Sequence, residues 1–446
     1  MASPVGTPDT MSSFMESILA GMPLKTVRRA VSAALGCAAF ATLAADSLPG
    51  QTAVAPADNP RVRAALQLIR DDNAWTLGQQ VSLCEIPAPP FGEARRAAEY
   101  RRRLAALGLD NVRIDAEGNA IGERPGTGDG PTVVIAGHLD TVFPESTDVR
   151  TRRVGGRIYG PGIGDDCRGL AVVLAVARAF QRAGVRTNGT VIFVGNGGEE
   201  GPGNLRGVRH LYQKELKGRI DYFISVDGTG LGMTSRAVGS NRYRVTYKGP
   251  GGHSYGDFGL PSPIHALGRA ISRIADVQVP STPKTTFNVG IIRGGTSVNS
   301  IAFEASMDVD MRSESAQALA EVDGRVRRLL GEALEAENAR AQDGKTRLTL
   351  AIDTIGIRPA GTQPDTAGIV RAAQAAAGAL GFTVRPGASS TDANVPIGLG
   401  LPGIAIDGGG RGDGAHSLEE WYEDGTQGWL GPQWAALIVA YLAGVR

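Results

Sequence analysis

The chain has 446 residues, 42% of them hydrophobic and 20% charged, enough to bury a large core and to form two or three domains. Its formal net charge of +1 argues against nucleic acid or an anionic membrane surface as the main partner. Cysteine occurs only at Cys37, Cys84 and Cys167, with no CxxC spacing, so neither a thiolate zinc site nor a disulfide framework is expected.

The N-terminus departs from the globular pattern. From Met22 a basic stretch (MPLKTVRR) leads into a short Ala-rich apolar run and small residues, then polar DSLPGQ, which is the order of a secretory signal. Residues 1–45 read as a leader that exports the chain to the periplasm or the exterior; the alternative is a cytoplasmic protein with an Ala-rich leader. The run is too short and too weakly apolar for a spanning helix, so no membrane partner is expected after leader removal. Residues 46–60, rich in Pro, Ala and Gly, read as a linker.

Helical spacing of apolar residues then predicts one segment over VRAALQLIRDDNAWTLGQQVSLCEI and another over GEARRAAEYRRRLAALG, ended by Gly108. NVRIDAEGNAIGE reads as a hairpin. PTVVIAGHLD, TVIFVGN and DYFISVDG read as strands, with helices over GLAVVLAVARAFQRAG and LRGVRHLYQKEL between them. Continuously apolar strands alternating with helices predict an α/β fold, a mostly parallel sheet covered on both faces.

The pattern changes near residue 240. NRYRVTYKG, a helix over SPIHALGRAISRIADV, TTFNVGIIRGG, SIAFEASMDVDMRS, a long charged helix and TRLTLAIDTIG follow one another. That β-α-β-β-α-β order predicts a small ferredoxin-like α+β domain over residues 240–355, inserted into a discontinuous domain of residues 61–239 and 356–446.

Residues that favour N/O-ligated metals end five strand-like runs: His138 and Asp140 follow TVVIAG, Asp165 and Asp166 lie in GPGIGDD, Glu199 and Glu200 close TVIFVGNGGEE, Asp227 closes YFISVDG, and His416 lies in GDGAH. Ligands of such sheets bind beyond the C-terminal strand ends, where these residues fall. Hard-to-borderline donors without thiolate point to a two-zinc hydrolytic centre, with cobalt or manganese as other candidates.

HLDTV, GPGIGDD, GGEEG, SVDG, GPGGHS, STDAN and GDGAHSLEEW, in this order, resemble the dizinc peptidase and amidohydrolase family. That family includes glutamate carboxypeptidase, acetylornithine deacetylase, succinyl-diaminopimelate desuccinylase, aminoacylase and peptidase T. Each motif alone is ordinary surface or turn; the ordered set is specific. The resemblance implies a zinc-exopeptidase-type sheet with a lid and dimerisation domain. It implies His138 and Asp227 on one zinc, Glu200 and His416 on the other, and Asp165 bridging the two before a cis peptide. Glu199 resembles the general base. Asp140, two residues after His138, would accept a hydrogen bond from the other imidazole nitrogen.

In the insertion, His253 matches a histidine that reaches the partner subunit's site to stabilise an oxyanion, implying a homodimer. Asn299 and Arg312 match positions that hold substrate, Arg312 suiting a carboxylate through its planar fork. Ser389, Ser390, Thr391, Asp392 and Asn394 of the SSTDAN segment are expected to line the substrate side. The implied reaction is hydrolysis of an amide or peptide bond in a short peptide or N-acyl amino acid. STDAN and the RPAG segment at Arg358 look closest to the peptidase T-like branch, so an exo-acting di- or tripeptidase leads. An N-acyl-amino-acid deacylase or carboxypeptidase is the alternative, and a non-catalytic metal-binding relative the alternative of another class.

Overall fold

The computed structural model describes residues 55–446, so the leader, Cys37 and most of the linker lie outside the described residues. Asn59 caps the first helix, Pro60–Asp71, its side chain accepting from the Arg61 and Val62 amides. A second helix, Asn73–Cys84, follows at once. The single helical segment expected here is therefore two. The break falls at Asp72, whose carboxylate is held by Arg178 and Arg182.

The large sheet has nine strands, in the order Asp110–Ile114, Ala120–Arg124, Gly189–Asn196, Gly130–His138, Tyr222–Val226, Gly403–Ile406, Met233–Ala237 and Gly361–Thr362, with Pro386–Ser389 also paired to Met233–Ala237. It is a mixed sheet, not the mostly parallel one expected from the sequence. The four strands Gly189–Asn196, Gly130–His138, Tyr222–Val226 and Gly403–Ile406 are parallel neighbours. On one side an antiparallel hairpin extends them. On the other, Met233–Ala237 runs antiparallel to Gly403–Ile406, because only a short loop separates it from the end of Tyr222–Val226 and leaves no crossover. That strand's weak alternation gave no signal of its own.

Helices Pro60–Asp71, Cys167–Arg182, Gly368–Ala379 and Leu430–Ala443 cover one face and share a core with Val133, Ile135, Val191, Phe193, Ile224 and Ile404. Alternate residues Val134, Ile192, Val194 and Phe223 bury the other face with Leu205, Val208 and Leu211. Cys167–Arg182 comes very close to the sheet: a Cβ at Gly169 would collide with the Val226 carbonyl. Glycine here lets the helix start sit against the strand ends that carry His138 and Asp227.

The insertion is a four-stranded antiparallel sheet in the order Thr285–Gly294, Glu304–Ser313, Gly239–Lys248 and Thr349–Arg358. Helices Pro263–Ala275 and Ala316–Asn338 pack on one face against Tyr243, Val245, Tyr247, Met307, Val309 and Met311. The alternate residues Arg242, Arg244, Asp308, Asp310 and Arg312 form a charged ladder on the other face. The last strand runs on to Arg358, past the boundary expected at residue 355, and so delivers Arg358 into the large domain. Among the described residues, no helix is long and apolar enough to cross a membrane.

Candidate metal and active site

The parallel strands converge on Asp165. Its Oδ1 lies 2.9 Å from His138 Nε2 and its Oδ2 3.2 Å from His416 Nε2, while His416 Nε2 also lies 3.0 Å from Glu200 Oε1. One carboxylate thus faces two imidazoles with different oxygens. The Asp165–Asp166 peptide is cis. Ligand atoms of His138, Asp165 and Asp227 lie within 4.8 Å of one another, and so do those of Asp165, Glu200 and His416. Two groups of three that share Asp165 could hold a pair of metal ions with a common carboxylate between them.

The electrostatics show how far the acids outrun the cations around them. Burial, then the neighbouring Asp165 charge, pushes the Asp227 carboxyl up to about 7. Burial would likewise raise Asp165, but hydrogen bonds from His138 and His416 hold it well below the usual carboxylate range. Asp165 and Glu200 in turn push the His416 imidazole up to about 10. Protonated imidazoles here balance carboxylates that divalent cations would balance better. The donor set fits two such ions.

Loops hold these side chains from behind. His138 Nδ1 lies 3.0 Å from the Asp140 carbonyl oxygen, which fixes the proton on Nδ1 and leaves Nε2 free as a ligand. The expected partner was the Asp140 carboxylate, but its nearer oxygen is 3.6 Å away. That carboxylate instead accepts from the amides of Gly198 at 2.9 Å, Glu199 at 3.0 Å and Glu200 at 2.8 Å, so it fixes the loop carrying both glutamates. Glu420 does the same for Asp165, accepting from the Gly162, Gly164 and Asp165 amides at 2.7, 2.7 and 3.0 Å. Sequence reasoning missed Glu420, although it stands four residues after His416 in SLEEW. His416 itself has φ of 66°, a backbone conformation rare for residues with a bulky side chain.

Glu199 is buried and is not free. Arg358 Nη1 donates to its Oε1 at 2.7 Å, and Nη2 donates to its carbonyl oxygen. Burial raises the Glu199 carboxyl strongly, with the Arg358 charge opposing it. Arg358 also donates to Ser390 Oγ at 3.1 Å. The RPAG segment marked this position, but nothing in the local sequence showed that the guanidinium meets Glu199.

A cleft of about 630 Å³ opens over these groups, lined among others by Asp227, Arg242, Arg312, Ser390, Thr391 and Asp407. Arg242 and Arg312 share one carboxylate, each donating to Asp310 at 2.8 Å. Four of the expected residues lie outside this chain's cleft. Asp392 is fully buried behind the cleft and accepts from Asn196 at 2.6 Å. Asn299 and His253 lie on the exposed edge of the insertion, outside this chain's own cleft. Asn394 is buried and braces the loop by accepting from the Thr391 amide. Cys84 and Cys167 are free thiols in a small apolar cluster with Ile158, Ile163 and Tyr422.

Residues 134–427 match the model of Peptidase family M20/M25/M40. The chain belongs to that family. Among M20 relatives, it is 28% identical over 221 residues to carboxypeptidase G2 of a Pseudomonas species, covering 47% of this chain and 52% of that protein. To the succinyl-diaminopimelate desuccinylase of Leptothrix cholodnii it is 29% identical over 237 residues, covering 47% and 61%. The chain thus spans about half to three-fifths of the length of these curated relatives. Among solved structures, the aminopeptidase PepT of Bacillus cereus superposes with a TM-score of 0.65 at 20% identity, covering 82% of this chain and 98% of that one. The Bacillus subtilis YXEP protein, described as a dinuclear metal-binding peptidase of the M20 family, superposes at 0.60 with 18% identity, covering 84% and 99%. These likenesses extend the fold over 82% and 84% of the chain.

Proposed function

We propose that this M20 protein is a metal-dependent hydrolase of amide or peptide bonds in short peptides, with an exo-acting di- or tripeptidase as the leading form. The observation that carries this reading is Asp165, set between His138 and His416 at 2.9 and 3.2 Å with Glu200 and Asp227 completing the two groups. Two zinc ions held there, or cobalt or manganese, would supply water that ionises near neutral pH and polarise the scissile carbonyl. His138 and Asp227 would hold one ion, Glu200 and His416 the other, and Asp165 both. Glu199 takes the proton from the attacking water and delivers it to the leaving amine. Arg358 opposes the upward push that burial gives the Glu199 carboxyl and so favours its ionised form. The arginines of the insertion grip a substrate carboxylate, and closure of that domain would exclude water.

Arg242, Arg312 and Arg358 all line the cleft, which also favours a second reading: cleavage of an N-acyl amino acid or a C-terminal residue, with the carboxylate as anchor. The names carboxypeptidase G2 and succinyl-diaminopimelate desuccinylase among the relatives support it. The test is metal analysis joined to hydrolysis of dipeptides, tripeptides and N-acetyl amino acids by the wild type and Glu199→Ala. The reading requires bound metal in both proteins and turnover only in the wild type. Equal rates would remove Glu199 from the mechanism, and no turnover of any substrate would leave a non-catalytic metal-binding relative.

We further propose a homodimer joined through the insertion, in which exposed His253 serves the partner's cleft, and export by residues 1–45. Exposed Tyr255, Phe258 and Val298 beside His253 support the first. The basic-then-apolar order from Met22 supports the second.

A further inference from the structure

The cleft holds a carboxylate that neither the metal groups nor the proton shuttle uses. Asp407 follows the strand Gly403–Ile406, which pairs in parallel with Tyr222–Val226 so that Ile406 lies beside Val226. Asp227 and Asp407 are therefore the next residues out on neighbouring strands, and both line the cleft. The Asp227 amide donates to the Ile406 carbonyl at 2.9 Å, which carries the pairing to the strand ends.

Asp407 is poorly compensated. Its Oδ2 accepts from the Gly232 amide at 2.7 Å. Among the described residues it has no ion-pair partner, although Arg242, Arg312 and Arg358 line the same cleft. Those three arginines are engaged by Asp310 and Glu199 and enter from the inserted domain's strands, whereas Asp407 belongs to the large sheet. The loop beside it is built to leave it bare. A Cβ on Gly230 or on Gly232 would come within 2.8 Å of Asp407 Oδ2. Thr229 and Thr234, which also line the cleft there, offer hydroxyls and no charge.

A half-buried carboxylate with one hydrogen bond and no counter-charge, facing a cleft, is suited to receive a cation. The arginines provide for the anionic end of a small substrate, and Asp407 provides for a cationic one. We propose that Asp407 receives the free α-ammonium group of the substrate, which makes unblocked short peptides, rather than N-acylated amino acids, the substrate class of this site. The inference rests on the hydrolase reading above and decides between its two forms. Burial pushes the Asp407 carboxyl up to about 6, the direction expected of an acid that lacks its counter-ion.

The test compares zinc-loaded wild type and Asp407→Asn on Ala-Ala-Ala and on N-acetyl-Ala-Ala-Ala. Asparagine keeps the acceptor for Gly232 through its Oδ1 and removes only the charge, and thermal unfolding checks that the variant folds. The wild type should prefer the unblocked peptide. Asp407→Asn should lower kcat/KM on that peptide by about 10- to 100-fold, the worth of one charge-assisted hydrogen bond, mainly through KM. The preference for the free amine should collapse accordingly. A wild type that cleaves the acetylated peptide as well as the free one, or a variant that keeps its preference, would overturn the assignment while leaving the hydrolase intact. Calorimetric binding of Ala-Ala-Ala to Glu199→Ala, with and without Asp407→Asn, reads the same contact without turnover. If the wild type cleaves neither peptide, equal binding by these two proteins sinks the assignment on its own, and weaker binding by the double variant upholds it.

Discussion

The guanidinium of Arg358 donates to Oε1 of Glu199 at 2.7 Å, and both side chains are buried. A buried carboxylate is costly to ionise, and burial accordingly raises Glu199 well above its usual range while the Arg358 charge opposes that rise. Removing the cation takes away the larger of the two charges that oppose the rise, the other being His138. Arg358→Met should therefore move the acid limb of the kcat/KM profile to higher pH and lower the rate at pH 7 by about 100-fold or more, the scale of a lost general base. Arg358→Lys keeps the charge and should recover part of the rate. A pH-rate profile of the three proteins decides; an unmoved acid limb in Arg358→Met would mean that the pair is structural only.

Asp140 makes a related case, since its carboxylate binds three successive amides of the Gly198–Glu200 segment. Burial works against its ionisation, but the His138 imidazole and those amides hold its carboxyl below the usual value. An acid lowered in the folded state stabilises the fold above its unfolded pKa, and that stability is lost as pH falls through the folded value. Asp140→Asn places an NH₂ against amide donors. It should weaken metal binding by about 10- to 100-fold and should lower stability at pH 7 by about 2–4 kcal/mol. Calorimetric metal titration and urea unfolding measure the two effects, and the stability difference should shrink toward pH 3.

Much of this site could be read from the sequence, because the M20 sheet delivers its ligands at strand ends. His138 and Asp227 each follow an uninterrupted apolar strand, and such runs can be seen in a one-dimensional pattern. What could not be read was whatever depends on contacts across the chain. The exchange of roles between the carbonyl and the carboxylate of Asp140 turns on a loop 60 residues away. Arg358 meets Glu199 across 159 residues, and Glu420 reaches the Asp165 amide across 255. Asp392 shows the converse error: it lies in a motif whose neighbours Ser390 and Thr391 line the cleft, but the turn it occupies directs it inward to Asn196. The mixed character of the sheet was hidden for a different reason. Direction depends on loop length as well as strand composition, and the loop before Met233 is too short for a crossover.

The two metal groups overlap at one residue, and that overlap can be counted. Asp165 belongs with His138 and Asp227 and also with Glu200 and His416. Purified wild type should hold two divalent ions per chain. Asp227→Ala and His416→Ala should each hold about one, whereas Asp165→Ala should lose most of both, since it also removes the charge that offsets ion–ion repulsion. Elemental analysis after gel filtration reads the stoichiometry. Chelation of the wild type should lower Tm as well, because a ligand held at about 100 times its Kd adds about 2.7 kcal/mol to folding. One ion lost in Asp165→Ala and two in Asp227→Ala would reverse the assignment of the bridge.

His253 offers a test of assembly that needs no structure of the dimer. It lies outside its own chain's cleft, and its Nδ1 accepts from the Tyr255 and Gly256 amides at 3.2 Å, so the proton sits on Nε2 and points away as a donor. If that donor serves the partner's site, His253→Ala and Glu199→Ala damage different halves of one composite site. Each variant alone should be inactive, His253→Ala by about 100- to 1,000-fold in kcat, the scale of one lost oxyanion donor. Mixing the two after dissociation should form heterodimers in which one cleft has both its own Glu199 and the partner's His253. Activity should then recover toward a quarter of the wild-type rate, as one cleft in two is intact in half of the dimers. A mixture that stays inactive while light scattering shows exchanged dimers would confine His253 to its own chain and end the in-trans assignment.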